Sequence, residues 1–119
     1  MENDIEYMTS AYRILYEIET ILKANIQSTL FEKYSVNWDR APELTKPLDK
    51  MFYHDIVTFY DHSPICKGIF TNDEIYRLFS LRDVRNDVAH MSVLSTKQFD
   101  LLCNCRDLVK RIERQVVMD

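Results

Sequence analysis

Apolar residues recur at steps of three and four along most of the chain, which is the period of an α-helix. In the first segment, about 4–34, two apolar stripes follow this period: Ile5, Met8, Tyr12, Leu15, Ile18, Leu22 and Ile26, and beside them Ile14, Ile21, Leu30 and Phe31. A helix with two such stripes is covered by neighbours on more than one side. The pattern therefore predicts one long helix at the start of the chain.

The helical pattern breaks between positions 35 and 46. The sequence Asn-Trp-Asp-Arg-Ala-Pro at 37–42 predicts a loop, with Trp38 anchoring it onto the core. A second helix is predicted to begin at Thr45 or Lys46 with Pro47 in its first turn, because the fixed φ of proline suits that position. Its apolar face carries Leu48, Met51, Phe52, Ile56 and Phe59, and it is predicted to end near residues 61–64.

Two capping-box patterns predict the starts of the last two helices. Thr71 is followed three residues later by Glu74, and Ser95 by Gln98. The third helix then carries the apolar residues Ile75, Leu78, Phe79, Leu81, Val84 and Val88, and the fourth carries Phe99, Leu102, Cys105, Leu108, Val109, Ile112 and Val116. The basic end of the fourth helix, which suits the negative end of its dipole, consists of Lys110, Arg111 and Arg114.

The connection between the third and fourth helices is short, and short connections usually join antiparallel neighbours. We therefore predict an all-α, up-and-down bundle of four helices, with five helices as the alternative. The chain has one glycine in 119 residues, which agrees with this fold because the hairpin turns of sheet proteins need glycine. Its apolar fraction of 46% and charged fraction of 29% are typical of one globular domain, here residues 1–119.

Charge and cysteine content narrow the range of partners and compartments. The net charge of −4 lies in residues 1–60, and residues 61–119 are neutral, so tight non-specific binding to long nucleic acid is not expected. A small phosphate site is compatible with this balance. No apolar run approaches the roughly 20 residues that span a bilayer, and the polar and acidic segment at residues 1–4 does not resemble a secretory signal. We expect a cytoplasmic protein with no membrane partner and three reduced cysteines.

Residues that can bind a phosphate and transfer a proton occur close together in the run Leu-Arg-Asp-Val-Arg-Asn-Asp-Val-Ala-His at 81–90. On a helix, Arg82, Arg85 and Asn86 lie on one stripe, and His90 is the i+4 neighbour of Asn86. Arg85 stays charged and can grip a phosphate through paired donors. His90 is predicted in the last turn, where free carbonyl groups stabilise a charged imidazole that can transfer a proton.

The same run has a purely structural interpretation. Arginines interleaved with Asp83 and Asp87 are typical of a solvated, salt-bridged helix face. A histidine near the end of a helix is also a common C-terminal cap. The residues of the run by themselves leave both interpretations open.

The remaining histidines and aromatic residues carry weaker signals. His54 and His62 are eight residues apart, which is not a compact metal-binding spacing, so we expect surface or loop roles and no metal site. Tyr53, Phe59 and Tyr60 of the second helix are expected in the core or at a dimer face rather than stacked on bases.

The run at 81–90 resembles the signature of the HEPN superfamily (higher eukaryotes and prokaryotes nucleotide-binding domains). Members of this family are small helical bundles with an Arg, four to six residues and then a His, commonly with a polar residue directly after the Arg. Here Asn86 follows Arg85, four residues separate Arg85 from His90, and a last long amphipathic helix follows the run. The layout of the whole chain fits, while the match of residues is confined to about ten positions.

The resemblance implies metal-independent RNA cleavage, without a cofactor, at a composite site formed by two copies of the chain. His90 would move protons as the ribose 2′-hydroxyl attacks the adjacent phosphate, and Arg85 would stabilise the developing charge. Asn86 would orient the phosphate or His90. Arg82 is not part of the signature, and we suggest it as an auxiliary contact to the RNA backbone. The implied setting is a toxin or antiviral defence effector, with an antitoxin or regulatory domain as a further partner.

This chain departs from the pattern of some HEPN toxins at one position, and two functions other than RNA cleavage are compatible with its sequence. Some HEPN toxins have a tyrosine two residues after the histidine, where this chain has Ser92, so control through modification of that tyrosine is not expected. Many members of the family lack catalysis, so a non-catalytic nucleotide-binding or dimerisation module is the first alternative. The second is a helical adaptor whose partner docks on an apolar face. A nuclease requires two copies of His90 at one cleft, and an adaptor does not.

Overall fold

The computed structural model describes the backbone of residues 2–118 and the side chains of residues 3–113. Its four α-helices are α1 (Glu2–Tyr34), α2 (Tyr53–His62), α3 (Asn72–Ala89) and α4 (Thr96–Met118). Short 3₁₀ turns occupy Ser35–Arg40, Leu48–Lys50 and Pro64–Cys66. No strand occurs in the described residues, so the predicted all-α bundle of four helices is confirmed. The predicted side-chain roles of Arg114 and Val116 lie outside the described residues.

The two longest helices run side by side in the same direction. Near their starts, the ring of Tyr7 stacks on Phe99 with 4.7 Å between ring centroids, and the Tyr7 hydroxyl donates to the carbonyl of Leu94 at 3.1 Å. Further along both helices, Lys110 Nζ lies 3.1 Å from Glu17 Oε1. Because the paired residues advance together, α1 and α4 are parallel. The 33-residue α1 has a length of roughly 50 Å, which matches the 49 Å long axis of the molecule.

The later helices alternate in direction, whereas α1 runs in the same direction as α2, so the predicted up-and-down arrangement holds only from α2 to α4. Gln98, at the start of α4, donates to Asp87 near the end of α3 at 2.7 Å, and Arg111, in the second half of α4, donates to Glu74 in the first turn of α3. The start of α2 packs on the middle of α3, while the ring of Tyr60 near the end of α2 packs on Phe70, ahead of α3. From α2 to α4, consecutive helices are therefore antiparallel.

The core forms where these helices meet. Its largest fully buried side chains come from all four helices: Ile18, Leu22, Ile26, Leu30, Ile56, Val57, Leu78, Leu81, Val84, Leu102, Val109 and Ile112. The prediction that Ile5 and Tyr12 face this core is wrong, because their side chains are 66% and 62% exposed. At 100° per residue they lie roughly 120–140° around α1 from the buried Ile18. Phe31, on the second predicted stripe, is also exposed.

Two of the three helix starts predicted from capping residues are confirmed. Thr71 and Glu74 bond to each other's backbone N–H groups at 2.8 and 3.2 Å, and Ser95 and Gln98 do so at 2.9 and 3.1 Å. The predicted start of the second helix at 45–47 is wrong, because α2 begins only at Tyr53.

The helix-like spacing of apolar residues before α2 comes from the 3₁₀ turn at Leu48–Lys50. After this turn the backbone becomes extended at Met51 (φ −75°, ψ 131°). Leu48 and Met51 are nevertheless buried, so the apolar pattern at these positions reports burial rather than a continuous helix. Trp38, in the preceding 3₁₀ turn, is half-buried and packs on the core, which confirms its predicted anchoring role.

The three cysteines are unpaired, as predicted. Cys66 and Cys105 are buried, and burial raises the pKa of each thiol to about 12. Both thiols therefore stay protonated and pack as small apolar groups. None of the described helices is both long and apolar enough to cross a membrane.

Truncating a core side chain should destabilise the fold. Leu102 is fully buried, so we expect Leu102→Ala to lower the free energy of unfolding by about 2–5 kcal/mol, measured by urea denaturation. The control Ile5→Ala removes an exposed aliphatic side chain and should change that free energy by less than about 0.5 kcal/mol. Equal losses in the two variants would contradict the assignment of the core.

Acid should weaken the contact between α3 and α4 through Glu74. The Arg111 guanidinium, helped by the N–H of Thr71 and opposed by burial, lowers the pKa of Glu74 to about 2 from its ordinary 4.5. A carboxylate whose pKa is depressed on folding contributes stability above its unfolded pKa and loses it as the pH falls through its folded pKa. The urea midpoint should therefore fall between pH 4.5 and 2 by a smaller amount in Glu74→Gln than in the parent.

The control for this experiment is Glu6→Gln, which changes an exposed carboxylate of α1. It should retain the full acid dependence of the parent. An acid dependence that is identical in Glu74→Gln and in the parent would exclude this role for Glu74.

Candidate functional site

Three of the four candidate residues from the sequence lie together beside the start of α2. Arg82, Arg85 and Asn86 project from α3 and form one wall of an open pocket with a volume of about 370 Å³. The opposite wall comes from the beginning of α2. The complete lining, which we call the α2–α3 pocket, is Phe52, Tyr53, His54, Arg82, Arg85 and Asn86.

Arg85 is held from two sides by residues of other helices. Its Nε lies 2.8 Å from Glu19 Oε1 on α1, and its guanidinium carbon lies 5.5 Å from the ring centroid of Tyr53 on α2. Tyr53 is buried, and its hydroxyl donates to the carbonyl of Leu78 in α3 at 2.6 Å. Burial raises the pKa of Tyr53 well above its ordinary value, so the phenol keeps the proton that it donates. The guanidinium is therefore positioned before any ligand binds.

The pairing with Glu19 limits how strongly Arg85 attracts an anion. The two side chains are 37% and 25% exposed, so solvent screens the pair, and pairs of this kind contribute about 0.2–1 kcal/mol. A guanidinium has five N–H donors, and an ion pair through Nε does not exhaust them. Arg85 can therefore keep its contact with Glu19 and still donate to a phosphate.

The ion pairs with Asp83 and Asp87 that the structural interpretation predicts are not formed, but two other features fit that interpretation: Arg85 pairs with Glu19, and His90 is the C-cap of α3. Among the described residues, no ion pair joins Arg82 or Arg85 to Asp83 or Asp87. Asp87 instead accepts a hydrogen bond from Gln98 across the α3–α4 connection. Arg82 and Asn86 are exposed, so their donors face solvent at the rim of the pocket.

His90 lies at the end of α3, outside the lining of the α2–α3 pocket. The helix ends at Ala89, and His90 is its exposed C-cap, with its N–H donating to the carbonyl of Asn86 at 3.0 Å. The following residue, Met91, has a φ of +59°. In this left-handed turn Ser92 N–H donates to Asp87 and Met91 N–H to Val88, which is the hydrogen-bond pattern of a Schellman motif. The backbone thereby fixes the direction in which the chain leaves His90.

Besides Tyr53, which was expected in the core or at a dimer face, and Phe52, which was wrongly predicted on the apolar face of the second helix and is 72% exposed, two groups at the site were not identified from the sequence. Glu19 and Arg85 are separated by 66 positions, and only the packing of α1 against α3 brings them together. His54 was expected to be a surface residue, and it is exposed, but its ring packs on Phe79 with 5.6 Å between centroids and lines the pocket. No spacing pattern in the sequence signals either contact. Within residues 3–113, no group of three or more His, Cys, Asp or Glu residues could hold a metal ion.

The left-handed turn after His90 should tolerate glycine better than methionine. A residue with a Cβ is disfavoured at φ near +59°, whereas glycine adopts this conformation freely. Met91 is 88% exposed in the single chain, so its replacement removes little packing within that chain. We expect Met91→Gly to raise the free energy of unfolding by about 0.5–1 kcal/mol in urea denaturation. The control Ala89→Gly, inside α3, should lower it, and a loss of stability in Met91→Gly would contradict the turn geometry.

Comparison of the chain with models of known protein families, with curated proteins and with solved structures found no match.

Proposed function

We propose that this chain is a metal-independent endoribonuclease of the HEPN type that acts as a homodimer. The observation that carries the proposal is the placement of Arg85, held by Glu19 and Tyr53, beside Arg82 and Asn86 in an open pocket. A positioned cation with adjacent hydrogen-bond donors is the arrangement that stabilises charge on a phosphate in a transition state.

The proposed reaction needs one group that accepts a proton and one that donates a proton. His90 removes the proton from a ribose 2′-hydroxyl, whose oxygen attacks the adjacent phosphorus. A second, protonated imidazole gives its proton to the 5′-oxygen as the P–O bond breaks. The products are a 2′,3′-cyclic phosphate and a 5′-hydroxyl end. Arg85 binds the phosphate oxygens that gain charge, Asn86 orients the phosphate or His90, and Arg82 contacts the adjoining backbone.

The position of His90 supports a site built from two chains. Its side chain is exposed at the end of α3 and does not line the pocket of its own chain, while a two-fold axis near this end would bring two copies of the motif together. Met91 and Val93 beside His90 are exposed apolar residues, and exposed apolar groups that cluster mark interaction surfaces. We therefore propose that the dimer interface includes residues 90–93.

The biological setting that we propose is a toxin or an antiviral defence effector in the cytoplasm, controlled by an antitoxin or a regulatory domain. The second candidate function is a non-catalytic nucleotide-binding or dimerisation module. The observation that favours this alternative is that His90 of a single chain lies outside the pocket that holds Arg85. An assay for cleavage separates the two candidates.

Removing either principal group should abolish RNA cleavage. We expect Arg85→Ala and His90→Ala each to lower the rate by about 10²–10⁴-fold while the protein stays folded, measured with a labelled RNA strand. The matched controls are Arg77→Ala, an arginine of α3 that pairs with Asp73, and His62→Ala, an exposed histidine at the end of α2, and both should retain activity. Cleavage should persist in EDTA, leave 2′,3′-cyclic phosphate ends and fail on a strand without 2′-hydroxyls.

Three results would exclude this mechanism: cleavage of DNA, loss of activity on chelation, and full activity in His90→Ala. If the folded dimer cleaves no RNA, the non-catalytic module becomes the better account.

The protein should be a dimer in solution through the surface around His90. We expect light scattering at tens of micromolar to give twice the mass of the 14.2 kDa chain. Val93→Asp places a charge in the proposed interface and should shift the equilibrium to monomer. The control Val36→Asp changes an exposed valine just after the C-terminal end of α1, away from the proposed interface, and should leave the protein dimeric. A parent protein that is only monomeric would contradict the composite site.

A further inference from the structure

Phe52 is an exposed aromatic residue at the edge of the α2–α3 pocket. Its side chain is 72% exposed although Met51 before it and Tyr53 after it are buried. A ring that is this exposed adds little to the core, and aromatic rings beside cations are typical of surfaces that bind unpaired bases.

The position of Phe52 is set by its neighbours. Its N–H donates to Asp55 Oδ2 at 2.9 Å at the start of α2, and Lys46 Nζ, 2.8 Å from the same carboxylate oxygen, lies 5.3 Å from the ring centroid. The Lys46 ammonium, followed by the N–H of Phe52, lowers the pKa of Asp55, which keeps this carboxylate charged. A flat ring has two faces, and with a cation over one of them the other can accept a base.

The rest of the pocket supplies groups for the phosphate and sugar of the same nucleotide. Arg82 and Arg85 lie on the opposite wall, with Asn86 and His54 offering further hydrogen bonds. The pocket volume of about 370 Å³ falls in the roughly 300–1,000 Å³ range of small-ligand sites. The net charge of −4 and the pairing of Arg85 with Glu19 favour contact with one or two phosphates rather than with a long polyanion.

We propose that the α2–α3 pocket binds one unpaired nucleotide of a single-stranded RNA, with its base stacked on Phe52 and its phosphate at Arg82 and Arg85. This inference rests on the proposed function and narrows its substrate class. A base inside a duplex is stacked on its neighbours and cannot reach a ring at the pocket edge, whereas an unpaired base can. Phe52 is thus a positioning residue that places the strand relative to Arg85.

The test measures binding of a 2′-O-methyl RNA strand, which lacks the attacking hydroxyl, by fluorescence anisotropy. Phe52→Ala should weaken binding by roughly 5- to 150-fold, the loss expected for one stacked base, and Phe52→Tyr should restore it to within about twofold because the ring is kept. Tyr76→Ala is the matched control, because Tyr76 is also 72% exposed and does not line the pocket, and it should bind as the parent does. The same sequence in duplex form should bind more weakly than the single strand.

Phe52→Ala that binds like the parent, or a duplex that binds as tightly as the strand, would overturn the inference. A free nucleoside 5′-monophosphate that binds as tightly as the strand, with the same dependence on Phe52, would replace RNA by a free nucleotide as the ligand.

A parallel cleavage assay with an unmodified strand separates this inference from the proposed nuclease activity. Cleavage that is unaffected in Phe52→Ala would refute the stacking role and leave the nuclease in place. Binding that depends on Phe52 without any cleavage by the parent protein would refute the nuclease and leave the pocket in place.

Discussion

Tyr53 is the contact on which the candidate site depends, because it joins α2 to α3 and supports Arg85 at the same time. Its hydroxyl donates to the carbonyl of Leu78, and its ring lies under the guanidinium of Arg85, which also pairs with Glu19 on α1. A buried phenol without a hydrogen-bond partner is costly, so this donor fixes where the start of α2 docks. Phe52 and His54 lie on either side of Tyr53 in the chain and reach the pocket as a consequence.

The same contacts restrict the chemistry of the site. Glu19 lowers the local positive potential, and the chain as a whole is acidic, so the attraction for an anion is short in range and confined to Arg82 and Arg85. A cation that is already oriented loses less conformational entropy when it binds a phosphate. The site therefore favours a ligand whose shape brings one phosphate to the guanidinium and one base to Phe52.

The structural roles of residues that depend only on nearby sequence could be predicted. The caps at Thr71 and Ser95 and the buried faces of α3 and α4 follow from spacing within a single helix. The start of α2 could not be predicted, because a 3₁₀ turn with buried Leu48 imitates a helical period. The partnership of Glu19 with Arg85 and the approach of His54 to α3 arise only from the angle at which helices pack, which spacing along the chain does not encode.

Nitrogen-15 NMR of the arginine side chains tests most directly whether the positioned guanidinium binds the RNA phosphate. On titration with a 2′-O-methyl RNA strand, the Nε signals of Arg85 and Arg82 and the side-chain amide of Asn86 should shift together and saturate. The Nε signal of Arg77, which pairs with Asp73 away from the pocket, should stay in place. A strand that binds without moving the Arg85 signal, or that moves Arg77 equally, would contradict the account.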